Sequence, residues 1–393
     1  MLSTNPPICS SSGLSSLAWL ADPGPPEYDK PLAVVGGRQE DDMGEILGLG
    51  TTHYPPLIGT DENMANILRA VLKDPGLPER YRDPASWPEA MRREYGSDGG
   101  KASAAAHRAE LVRHFRHART LLDEFRPDVI IMWGDDQHEN FTEDVIPPFC
   151  VLAYDQVEAR HRPRDTSAPN IWGEGPDTVF RINGHRAAGK YLAKSLLEQG
   201  IDMAYAYKPL HHQGLAHAFL NTVLYLDYDR VGFPYPVVAF QVNCYGRRVI
   251  AQRGGRGSLA SPLADADLDP PSPSPKRCME VGAATARAMR ESPWRVALIA
   301  SSSWSHAFLT DKHHQLYPDI VEDRRLYEAL RVGDYETWRE RPLAAIEASG
   351  QQEMLNWYML AGAMEALGRK PDQCEFLETW SFNSNKCFAV YKP

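Results

Sequence analysis

Histidines at 53, 138, 217 and 306, and a glutamate at 353, stand just past predicted strand ends or at a helix start. His53 follows the short apolar run Glu45–Gly50, and His306 follows Trp294–Ala300. His138 ends the series Gly134-Asp135-Asp136-Gln137-His138 behind the β-branched run Val129–Trp133, which suits a strand buried on both faces. His217 comes after a predicted strand over 202–207, and Glu353 lies in the first turn of a predicted helix over 352–367. In an open α/β sheet, ligands bind beyond the carboxyl ends of the strands, so these are positions where a site belongs. Two histidines and one carboxylate on three of six octahedral positions form the facial triad of non-haem Fe(II) oxygenases. The three remaining positions leave room for a chelating substrate and O2 together. The residues are scattered from 53 to 353, so ordinary readings stand beside this one: hydrogen-bonded loop histidines, and an acid favoured by a helix dipole.

The elements that must position them read as α/β. Apolar positions Leu111, Phe115, Ala118, Leu121, Leu122 and Phe125 recur near helical spacing over 101–125, and the strand 128–133 follows directly. Further helices are predicted over 184–199, where Gly200 gives a stop, and over 276–290; buried strands are predicted at 151–154 and 236–242. Two short strands around Asn383-Ser384-Asn385 close the chain. Helix and strand in alternation predict a mostly parallel central sheet flanked by helices, with a metal site at the strand carboxyl ends. Residues 1–44, rich in Ser, Pro and Gly, read as an irregular arm. A single catalytic domain is expected over 45–393, with inserted segments at about 59–100 and 246–275. Residues 156–178 read as a polar loop, 246–275 as a long exposed one, and His107, His114 and His117 as the polar face of a helix.

Composition narrows the function classes. The formal net charge of -10 speaks against a nucleic-acid partner and for a soluble cytoplasmic protein. The 6 cysteines form no CxxC pair and no cluster, so neither a zinc ribbon nor a disulfide framework follows. No apolar run reaches the roughly 18 residues of a membrane span. The patch Leu14–Ala21 has no basic residues before it and makes a poor secretory signal. There is no Walker loop and no GxGxxG, so nucleotide binding has no support.

Read in order, the motifs resemble those of the class III extradiol ring-cleavage dioxygenases, the group typified by the catalytic β subunit of protocatechuate 4,5-dioxygenase. Thr52-His53-Tyr54-Pro55 is similar to the family's Ser-His-hydrophobic-Pro turn. Residues 127–149 resemble its strand-and-loop PDVVIL…NDHxxxF…IPxF, with Gln137 where the family has Asp. Ala216-His217-Ala218-Phe219 resembles its Asp-His-Gly/Ala motif without the acidic residue. Ser303-Trp304-Ser305-His306 resembles G-x-S-H, after a similar Lys-Arg-Cys helix start at 276–278. Glu353-Met354-Leu355-Asn356-Trp357 matches Glu-Leu-x-x-Trp, and the resemblance covers roughly 45–390.

That resemblance implies a dioxygenase of aromatic-compound catabolism that opens a catecholic ring with O2. It implies Fe(II) held by His53, His138 and Glu353, with His306 as acid/base and His217 facing substrate or the ligands. It also implies a homo-oligomer, and in smaller members a helper subunit over the site. The segment 59–100, emerging just after His53, is expected to supply that cover in cis. The acidic residues expected before His138 and His217 are missing, although Asp135 and Asp136 could replace one of them. A zinc hydrolase using the same two-histidine, one-carboxylate set, or a metal-free binding protein on the same fold, are the alternative readings.

Overall fold

The computed structural model describes residues 44–161, 170–175, 177–209, 211, 214–249, 252 and 254–393. Apart from Gly44, the expected N-terminal arm lies outside the described residues.

Buried strands form the frame. An 8-stranded sheet has the order β6-β3-β7-β2-β8-β1-β10-β9. Its strands are β1 (Ile46–Thr51), β2 (Val129–Asp135), β3 (Phe149–Leu152), β6 (Ala204–Ala206), β7 (Val237–Val242), β8 (Val296–Ser301), β9 (Gln373–Leu377) and β10 (Lys386–Tyr391). A separate 2-stranded ribbon pairs β4 (Gln156–Ala159) with β5 (Phe180–Asn183). The strands β1, β8, β2 and β7 are parallel neighbours, so their carboxyl ends share one rim. The antiparallel strands β3, β10 and β9 lie outside that block, on either side of it. The sheet is thus mostly parallel and flanked by helices, the α/β class expected.

Every residue of β1, β2, β7 and β8 is buried. Side chains alternate between faces along a strand, so each strand feeds two cores. On one side Val129, Ile131 and Trp133 pack with helices α2 (Arg186–Glu198), α4 (Pro275–Arg290) and α5 (Leu355–Ala366). On the other, Ile130 and Met132 pack with α1 (Lys101–Phe125) and α3 (His217–Leu226). This double coverage explains why the strands read as continuous apolar runs rather than alternating ones. The α4–α5 crossing is close because it is made of glycines: a Cβ at Gly282 would fall 1.9 Å from the Met359 carbonyl oxygen, and one at Gly362 2.1 Å from that of Met279.

Several local expectations change. The stretch 156–178 contains β4. Residues 246–275 hold a short helix, Gly246–Val249, and Arg256 is tied to Asp74. His114 is not solvated: it is buried and stacks on Phe388, ring centroids 4.6 Å apart. The segment after His53 builds a small core of its own from Leu68, Val71, Leu77, Trp87 and Met91, joined by Leu316. There the local apolar side chains are few, and burial comes from pooling them around Trp87.

Candidate functional site

The chain turns off β1 at Thr51, and His53 lies buried on the rim beside the end of β8. Its Nδ1 lies 2.9 Å from the Ser301 carbonyl, which can only accept, so Nδ1 carries the proton and Nε2 the lone pair. That Nε2 stands 3.7 Å from Asp135 Oδ1 and 3.5 Å from Glu353 Oε2. Asp135 is the last residue of β2, so its position is fixed by the sheet. Glu353 comes from the 3₁₀ turn Gln352–Met354 that leads into α5, and Ser302 Oγ donates to its backbone carbonyl at 2.8 Å.

His217 opens α3. Glu139 holds it twice, accepting from its Nδ1 at 2.8 Å and from its backbone N–H at 3.3 Å. An acid at this end also suits the helix dipole. The His53 and His217 rings meet edge to face, centroids 5.0 Å apart. One ligand atom each from His53, Asp135 and His217 lie within 4.8 Å of one another, and all these residues are buried.

His306, buried beyond β8, is held by its surroundings: its N–H donates to the Gly350 carbonyl at 2.8 Å. The preceding Ser305 is fastened through Oγ to Asp323, 2.5 Å, and Asp323 also accepts from Asn385 and Gln351, each at 2.7 Å. The His306 Nε2 lies 3.2 Å from Glu353 Oε1, an oxygen that also accepts from the Tyr245 hydroxyl. Its Nδ1 is buried without a hydrogen-bond partner.

The electrostatics are those of a cation site. Burial, then the facing Asp135, pushes the Glu353 carboxyl well above its usual range. Burial pushes Asp135 up to about 6. Burial, then the neighbouring His53, pulls His306 down to about 3. Asp135 Oδ2 and Glu353 Oε2 are buried with no hydrogen-bond partner. Carboxylates left this way are costly unless something positive compensates them. A divalent cation among His53, Asp135, His217 and Glu353 would ionise both acids and use the orphaned oxygens, so the donor set fits a metal of the kind expected.

His138 is not among the three residues whose ligand atoms lie within 4.8 Å of one another. It takes a left-handed backbone, φ 59°, and its Nε2 sits 3.1 Å from Glu143 Oε2 with the side chain 15% exposed. The inward position belongs to its neighbour Gln137, whose Nε2 donates to the Tyr245 hydroxyl. The turn itself is set by Asp136, which accepts from the N–H groups of Glu139 and Asn140, both at 2.8 Å. His53, His306, His217 and Glu353 are brought together as a group; Asp135 was visible in the sequence as a spare acid. Glu139 and Tyr245 carried no signal there.

The cluster forms part of the wall of a cavity of about 420 Å³, lined at the inner end by Gln137, His217, His306 and Glu353. The outer walls are Pro55, Pro56, Ile58, Ile67 and Phe308, with Gly254 and Arg256 on one side. Residues from both expected insertions therefore line it. They are clasped through Asp74, which accepts from Arg256 Nη2 at 3.0 Å and from the Leu259 N–H at 3.2 Å.

Residues 265–384 match the family described as the catalytic LigB subunit of aromatic ring-opening dioxygenase. The chain is 30% identical over 200 residues to a 2,3-dihydroxyphenylpropionate/2,3-dihydroxicinnamic acid 1,2-dioxygenase of Burkholderia vietnamiensis, covering 50% of this chain and 49% of that protein. It is 25% identical over 198 residues to such an enzyme, numbered 2, from Pseudomonas putida, again 50% and 49% of the two chains. In both, the chain spans about half the length of the curated relative it matches. With the protein of that name from Klebsiella pneumoniae it is 24% identical over 297 residues, 66% of this chain and 83% of that one. Among the described residues no helix is long and apolar enough to cross a membrane.

Proposed function

We propose that this chain, residues 265–384 of which match the catalytic LigB subunit of aromatic ring-opening dioxygenase, is an Fe(II)-dependent extradiol dioxygenase, opening a catecholic ring beside its hydroxyls with both atoms of O2. Its place is in the catabolism of aromatic compounds. The observation that carries this reading is the buried cluster of histidines and of carboxylates that each keep one oxygen without a hydrogen-bond partner, at the inner end of an apolar-walled cavity. The histidine and carboxylate donors around His53 would hold the metal. Fe(II) bound there supplies Lewis acidity toward the catechol hydroxyls and a path for electrons from the ring to O2.

The protein's own groups do the rest. The ring enters between Pro55, Pro56, Ile58, Ile67 and Phe308, whose apolar surfaces exclude water from the reacting carbons. His306 would take a substrate hydroxyl proton at Nδ1, the nitrogen that has no partner in the protein, and hold it for return later in the reaction. Glu353 Oε1, itself held by Tyr245, fixes the His306 ring through Nε2. The segment 59–100 supplies cover in cis, Gly59, Asn63, Asn66, Ile67 and Ala70 being its part of the cavity wall. The reading extends to a single catalytic domain over 45–393, a cytoplasmic location consistent with the net charge of -10, and a homo-oligomer.

The test is anaerobic loading with Fe(II) followed by O2 uptake against a panel of substituted catechols. About one Fe(II) per chain, O2 consumption and a ring-opened semialdehyde chromophore are expected. Tight zinc binding with ester or amide hydrolysis, and no O2 uptake with any catechol, would overturn it.

A further inference from the structure

We propose that the metal is held by His53, His217 and Asp135, so that His217 stands in for His138 as the second histidine. The proposal rests on the metal-dependent reading above and names its ligands. It begins with the imidazole tautomers. Metal-bound histidines almost always spend their other ring nitrogen on a carbonyl or carboxylate, which fixes the ring and the lone pair. Both His53 and His217 are arranged so: Nδ1 of the first faces the Ser301 carbonyl at 2.9 Å, and Nδ1 of the second faces the Glu139 carboxylate at 2.8 Å. In each ring Nδ1 then carries the proton and Nε2 the lone pair. His138 faces a carboxylate too, Glu143 through Nε2, but that partner is largely exposed and His138 is not in the group of donors that lie within 4.8 Å of one another.

Distance supports the same set. Metal–ligand bonds of about 2.1 Å place neighbouring donors about 3 Å apart. The donors of His53, Asp135 and His217 already lie within 4.8 Å of one another, and no other group of this kind occurs among the described residues. A contraction of side-chain scale closes it around an ion. Asp135 keeps a buried oxygen, Oδ2, with no hydrogen-bond partner, while Asn356 Nδ2 holds Oδ1 at 3.2 Å. Glu353 Oε2 lies 3.5 Å from the same His53 Nε2 and is also without a hydrogen-bond partner, but Glu353 is not in the group within 4.8 Å, and its Oε1 is committed to Tyr245 and His306. It is placed to control the proton of His306 rather than to complete the triad.

The cause is local. β2 runs through Asp135 before the chain turns, and Gln137 fills the inward position against Tyr245. The histidine that follows is carried out of the site by its left-handed backbone. Asp135 and His217 then supply the lost carboxylate and imidazole from elements already anchored on both sides.

The experiment measures metal, not turnover: anaerobic Fe(II) affinity by chelator competition, and Co(II) absorption as a reporter of the ligand field, in the full-length chain. His217→Ala and Asp135→Asn should lose the bound metal and the Co(II) spectrum. His138→Ala should keep both, and Glu353→Gln should keep its metal. Glu139→Gln, which touches the metal only through His217, should weaken affinity by about 10–100-fold. Circular dichroism identifies any variant that fails to fold; for those, His217→Gln and Glu139→Gln decide. Loss of metal in His138→Ala with retention in folded His217→Ala or His217→Gln would overturn the assignment. Loss of metal in Glu353→Gln with retention in Asp135→Asn would also overturn it. Metal bound through these residues without O2 uptake would instead overturn the dioxygenase reading and leave the ligand set standing.

Discussion

The rim of the sheet and the segments that roof it are built in different ways. On the rim, His53, Asp135 and His306 follow or end strands whose every residue is buried, and each side chain inherits a position fixed by ladders and by two cores. The roof, 59–72 and 254–259, rests instead on a small core of its own around Leu68, Val71 and Trp87 and on polar ties, with the Asp74 carboxylate gathering Arg256, Ser258 and Leu259. Reacting groups must hold their geometry to a fraction of an ångström, whereas a roof must only exclude water and fit a substituent. The difference teaches where to look for chemistry and where for specificity. Rim substitutions should act on metal and turnover; roof substitutions should act on KM and stability.

The largest effect is expected at the centre of the rim. His53→Ala removes the one imidazole that faces both Asp135 and Glu353, so metal content by elemental analysis and O2 uptake should both fall to background. If His53→Ala still binds Fe(II) at full occupancy, the rim does not hold the metal. One step down, His306→Phe should retain Fe(II) and catechol binding while losing about 10²–10⁴-fold in kcat, the usual contribution of a general acid–base group. A normal kcat in that variant would return His306 to the status of a loop histidine.

A third substitution probes the clasp. Asp74 is 3% exposed and accepts from Gly76, Arg256, Ser258 and Leu259. Asp74→Ala strands those donors; since Arg256 is itself partly exposed, the cost should be about 1–3 kcal/mol, read as a lower midpoint of denaturation. KM should rise with metal content unchanged. A variant with less metal but the same stability would erase the distinction between rim and roof.

How much of this the sequence could disclose follows the same division. The helix 101–125 and the buried strands were legible because local apolar pattern and tertiary burial agree along them, as in Ile130 and Ile131 facing opposite cores. His53, His217, His306 and Glu353 were legible as chemistry-bearing residues at element ends. What failed to show was the turn after β2. Gln137 and His138 are adjacent, and only the backbone twist at His138 decides which of them faces inward. Nothing in residue type encodes that twist, because it depends on Asp136 capping two following N–H groups and on Tyr245 arriving from the segment after β7, over a hundred residues later. Glu139 was hidden for a related reason: its partner His217 is 78 positions away, and an acid in a loop looks like a solvated one until that helix start is placed against it.

The smallest effect should come from the roof's apolar wall. Ile67 is half-buried on the helix Asn66–Leu72 and faces the cavity with Ile58 and Phe308. It is not a member of the metal cluster, so Ile67→Ala should leave Fe(II) content unchanged. Shortening Ile to Ala removes wall surface that a ring substituent would contact, at no more than about 0.8 kcal/mol per methylene lost from contact. Because the side chain is only half-buried in the free protein, roughly 1 kcal/mol is a reasonable total, or about a fivefold rise in KM. That rise should appear for catechols with a bulky apolar substituent and be nearly absent for unsubstituted catechol, with kcat similar for both. Steady-state O2 uptake with the two substrates measures the contrast directly. An equal change in KM for both would mean that 59–72 shapes the whole cavity rather than its substituent end, and a change in kcat would place Ile67 functionally with the rim.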